Sequence, residues 1–101
     1  MATTTKALFR GAATTTVGTT LYTVPASTTT VVTNIVVTNT ATSAATFDLA
    51  LNGTKLADIV AIAADSFVVI DLKQVISATQ TIAGGASAVT VNFHISGVEI
   101  V

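Results

Sequence analysis

The chain has 101 residues, half of them hydrophobic and only 9% charged, with a formal net charge of −1. That length fits one domain, and it is enough for an independent core. The charge balance excludes general electrostatic binding to nucleic acid, and the absence of Cys excludes a disulfide scaffold, a thiolate zinc site and a cysteine nucleophile.

Residues 1–18 show little periodicity, and no apolar run follows Lys6 or Arg10 to suggest a secretory signal. Two readings stand for this segment. It is either an N-terminal arm or the first strand of the domain. In the arm reading, the apolar pair Leu8 and Phe9, with Arg10 beside it, docks on a partner.

From residue 19 to residue 101 the pattern is that of a β domain. Leu21–Val24 predicts a short strand stopped by Pro25, which cannot donate to a ladder. Thr29–Asn39 predicts a long strand of Val, Ile and Thr. Thr46–Asn52 alternates cleanly, with Phe47, Leu49 and Leu51 on one face and Thr46, Asp48 and Ala50 on the other. Asn52-Gly53 is the strongest short hairpin signal, because both residues accept positive φ. Thr54–Ala57 returns as the partner strand, and Ile59–Ile62 is a separate short apolar piece.

Phe67–Lys73 predicts a further strand, with Val68, Ile70 and Leu72 opposite Phe67 and Val69. Val75–Ala78 reads as a helical turn or a bend. Thr79–Ile82 reads as a short strand closed by Gly84-Gly85. Along Ala88–Ser96 the inward set is Val89, Val91, Phe93 and Ile95. Gly97 permits a bulge, and residues 98–101 are strand-like.

About eight strands at intervals of roughly 8–12 residues predict an all-β chain. The expected architecture is a single antiparallel β-sandwich, jelly-roll or immunoglobulin-like, with residues 1–18 as arm or first strand and 19–101 as the sandwich. The expected core holds Phe47, Leu49, Leu51, Val68, Ile70, Leu72, Val89, Val91, Phe93 and Ile95. Of the 101 residues, 21 are Thr and 17 are Ala. Thr keeps a surface polar without charge, and no run of about 18 apolar residues offers a membrane helix. The expectation is a chain with neither a nucleic-acid nor a membrane partner.

The inventory for catalysis is thin. His94 is the single histidine, and no GxSxG elbow surrounds any Ser. The acids Asp48, Asp58, Asp65, Asp71 and Glu99 read as solvated groups beside turns or on outward strand positions, and they lack calcium-loop spacing. The expectation is a chain that is not an enzyme and holds no metal or cofactor. The informative feature is the apolar pair Phe67 and Val69 on an outward strand face. Either a loop or the N-terminal segment covers them, or another subunit does.

The run Leu21-Tyr22-Thr23-Val24-Pro25-Ala26, the strand Val31–Asn39, the hairpin Leu49–Gly53, Val69–Leu72 and the closing Val91–Glu99 together resemble small virion proteins of tailed bacteriophages, the capsid decoration or cement group. The likeness spans residues 19–101. It implies a compact β module on the virion, often trimeric, whose partners are the major capsid protein and copies of itself. The role so implied is a non-enzymatic stabiliser of the assembled head. A tail or fibre component, or a module binding host glycans, is the alternative. The expected partner interface is Leu8, Phe9, Arg10, Phe67 and Val69.

Overall fold

The structure is a computed structural model that describes residues 2–101. Eight strands carry the fold: β1 (Thr3–Ala12), β2 (Thr19–Thr23), β3 (Thr29–Asn39), β4 (Ala45–Leu51), β5 (Thr54–Ile62), β6 (Ser66–Ile76), β7 (Thr81–Ala86) and β8 (Val91–Ile100). They form two four-stranded antiparallel sheets, ordered β1-β8-β3-β6 and β2-β7-β4-β5. This is the strand order of the eight-stranded jelly roll. Only β4 and β5 are consecutive neighbours in one sheet; every other connection crosses to the opposite sheet. The Asn52-Gly53 turn that joins them has φ of 48° and 79°, as a two-residue hairpin requires.

The core forms where the alternating faces meet. Phe47, Leu49, Val91, Phe93 and Ile95 are buried, with Val32, Ile35 and Val37 of β3 and Ile82 of β7. The rings of Phe47 and Phe93 meet edge to face, 6.3 Å apart at 73°, and so join the two sheets at their middle. Leu51, Val68, Ile70 and Leu72 are partly buried against this cluster.

Of the two readings of residues 1–18, the structure shows the first strand, and it corrects several other expectations. Residues 3–12 form edge strand β1, paired with β8 from Thr3 opposite Ile100 to Ala12 opposite Asn92. A bulge between Ala7 and Phe9 turns Leu8 into the core, where it packs over Gly97. A Cβ on Gly97 would stand 2.8 Å from Leu8 Cδ1 and would collide with the Val31 carbonyl. Val89 is not in the core. It lies in the turn before β8 and is 64% exposed, because β8 begins only at Val91. Val75 and Ile76 continue β6 rather than turning.

Gly84 and Gly85 lie within β7 and do not close it. Their role is close approach: a Cβ on Gly85 would stand 2.5 Å from the Thr16 carbonyl oxygen, so only glycine lets the 13–18 loop lie across this strand.

Candidate interaction surface

The two sheets end side by side. On one flank β1 lies beside the short β2; on the other, β6 lies beside β5. Among the described residues, six of the nine large apolar side chains left exposed sit on β5 and β6: Leu56, Ile59, Val60, Phe67, Val69 and Val75. Phe67 is 68% and Val69 54% exposed, so neither a loop nor the N-terminal segment covers them. Alternation explains β6, since its inward set is Val68, Ile70 and Leu72 and its outward set is Phe67, Val69, Asp71, Lys73 and Val75.

Ile59 needs a separate explanation. It is β-branched yet has φ of 48°, a conformation that crowds its Cβ. The register shows why it occurs. Phe47 pairs with Val60 and Leu49 with Ala57, so Asp58 and Ile59 bulge out opposite Asp48. The Ile59 N–H donates to Asp48 Oδ1 at 3.3 Å, and Lys55 Nζ donates to Asp48 Oδ2 at 2.6 Å. Lys55 also lies 3.6 Å from Asp58 Oδ1.

Asp48 is therefore buried, contrary to the expectation of a solvated acid. Its hydrogen bond from Lys55 holds its carboxyl below the usual carboxylate range against the opposing effect of burial, and the Ile59 amide helps. Asp48 in turn raises the Lys55 ammonium above its ordinary value. The result is a pinned bulge that presents Ile59, 68% exposed, at the edge of the second sheet.

Beside this pair, a shallow concavity of about 280 Å³ is lined by Thr20, Asp48, Ala50, Lys55, Thr81 and Ala83 among others. It has no aromatic wall, and its two charged groups are already satisfied by each other.

The other expected interface residues fall elsewhere. Leu8 is in the core, Phe9 packs partly against it, and Arg10 is exposed on the opposite edge strand. Burial of Leu8 in the sandwich removes it from any partner surface. His94 sits on the outward side of β8, in register with Val36 and Arg10. Among the described residues, no three acidic or His side chains come together as a metal-binding group.

Glu99 is likewise part of the architecture. Its carboxylate accepts from the Tyr22 hydroxyl at 2.5 Å and lies 3.3 Å from Lys6 Nζ. The Tyr22 bond, and then Lys6, hold Glu99 below the usual carboxylate range. Burial, followed by the Glu99 bond, pushes the Tyr22 phenol above its ordinary value.

Leu56, Ile59, Val60 and Val75 were not legible as surface residues. The adjacent apolars Ile59-Val60 after Asp58 break the period of two, and that break was the one available sign of a bulge. No protein-family model matches the chain, and no curated protein matches it in sequence.

Proposed function

We propose that this chain is a non-enzymatic structural protein of a tailed-bacteriophage particle, a decoration protein that attaches to the assembled head and strengthens contacts between capsomers. The observation that carries this reading is the β5/β6 flank, where six large apolar side chains stay exposed on a finished sandwich. Exposed apolar clusters of this size mark surfaces that a partner covers. The jelly roll adds support at the level of architecture, since viral shell proteins and lectins both use it.

The mechanism is mechanical. A subunit seated across two capsomers adds an interface that must break before they separate under internal pressure. Apolar burial, worth about 25 cal/mol per Å², supplies most of that resistance and depends little on salt. The partners in this reading are the major capsid protein and further copies of the chain.

The test compares particles made with and without the chain. Quantitative mass spectrometry of purified heads should find it in hundreds of copies, and heads lacking it should rupture at lower temperature or milder osmotic shock. A handful of copies confined to tails would move the protein to a tail or fibre role. Its absence from particles would end the proposal.

A further inference from the structure

We infer that two copies of this chain pair antiparallel through β6, about a two-fold axis at Leu72, joining their β1-β8-β3-β6 sheets into one eight-stranded sheet. The inference does not depend on the particle role. It rests on the edge itself.

β6 is an eleven-residue strand at a free sheet edge, and it contains neither Pro nor Gly. Its outward row reads Phe67, Val69, Asp71, Lys73, Val75, three apolar positions and one pair of opposite charges. Paired antiparallel strands place directly opposed side chains on the same face. With the axis at Leu72, Asp71 stands opposite the partner's Lys73, and Lys73 opposite the partner's Asp71. Val69 stands opposite the partner's Val75, and Val75 opposite the partner's Val69. From Val69 to Val75 the row is therefore complementary to itself in both charge and hydrophobicity, while Phe67 lies beyond it, opposite the partner's Ser77 just past the end of β6.

Neighbouring registers fail. Moving the axis to Asp71 sets two carboxylates against each other, and moving it to Lys73 sets two ammonium groups together. The same two charges that discourage indiscriminate edge pairing thus select one register. The ladder to β3 carries a bulge at this point, beside the proposed axis. Thr33 of β3 faces a register shift, and within the paired span of β6 only Leu72 and Lys73 have no register partner on β3. Beneath β6, the free edge β5 presents Leu56, Ile59 and Val60 on the same flank, which extends the apolar contact to the second sheet.

Analytical ultracentrifugation over a concentration series tests the inference directly. The full chain of 10.1 kDa should approach twice that mass. Asp71→Lys sets Lys opposite Lys twice, and Lys73→Asp sets Asp opposite Asp twice; each should weaken the dimer on the order of tenfold. The double exchange, Asp71→Lys with Lys73→Asp, restores both pairs and should restore the dimer. Neither side chain makes a hydrogen bond or ion pair within the fold among the described residues, so circular dichroism melts at concentrations too low for the dimer to form should be unchanged. A monomer at every concentration overturns the inference, as does the mass of the trimer that the phage resemblance implies. A dimer indifferent to the single exchanges, or one that the double exchange fails to restore, overturns it equally.

Discussion

Tyr22 reaches out of one sheet to donate its hydroxyl proton to Glu99 of the other, 2.5 Å away, while Thr30 lies 2.9 Å from the same oxygen. The contact ties β2 to β8 and β3 at one end of the sandwich, and Lys6 of β1 closes it from outside. Four strands from both sheets thus share one polar cluster. The phenol is a buried group with its partners in place, as interiors require.

This cluster predicts how stability depends on pH. Glu99 has a lowered folded value, so its contribution is complete above the unfolded carboxylate range and is lost as pH falls through the folded value. Tyr22 has a raised folded value, so its contribution is complete below the unfolded phenol range and is lost as pH rises through the folded value. Urea melts across pH should show a plateau with a decline at each end. Tyr22→Phe should remove the alkaline decline at this site, shrink the acid one and cost about 1–2 kcal/mol on the plateau. An unchanged alkaline limb would refute the assignment.

The ring contact between Phe47 and Phe93 predicts a large truncation effect. Phe93→Ala should cost about 3–5 kcal/mol in denaturant melts, because both rings are fully buried between the sheets. A loss below about 1 kcal/mol would contradict this packing.

At Gly97 a methyl group has nowhere to go. Gly97→Ala should cost about 1–3 kcal/mol or more through overpacking against Leu8 and the Val31 carbonyl. Combining it with Leu8→Ala should recover part of that loss only if the Leu8 methyl is one of the clashing atoms. Strict additivity in the double variant would show that the backbone carbonyl alone sets the penalty.

Removing residues 1–10 separates a strand from an arm. The deletion takes away most of β1 and the buried Leu8, and it bares the edge of β8. The melting temperature should fall sharply and the product should aggregate through the new edge. A domain that melts as the full chain does would restore the arm reading.

The sandwich was legible wherever one strand face is buried and the other wet. Phe47 to Leu51, Val68 to Leu72 and Val91 to Ile95 alternate for that reason, and Asn52-Gly53 marked its hairpin by backbone chemistry alone. The sequence left β1 open between strand and arm because it is an edge, buried at Leu8 and mostly exposed elsewhere, so no two-residue period develops. Gly84-Gly85 looked like punctuation because close approach of a distant loop leaves no trace in neighbouring residues. Asp48 looked solvated because its partners, Lys55 and the Ile59 amide, meet it only through the bulge in β5. On the surface, Phe67 and Val69 were legible from β6 alternation, whereas the inward turn of Leu8 depends on the bulge between Ala7 and Phe9, which leaves no sign in the sequence.

The pairing of β1 with β8 has a consequence in time. Thr3 lies opposite Ile100, and Ala12 opposite Asn92, so β1 can bond to β8 only after residues 91–100 exist. Most other pairings also join strands far apart in sequence. Loop closure must then precede most of the stabilising contacts, which places folding of this chain on the slow scale of about milliseconds to seconds. Through that interval the growing chain carries unpaired Val- and Thr-rich strands with few charges to keep copies apart. Dilution, or prompt capture by a partner, should therefore govern its yield more than its final stability does.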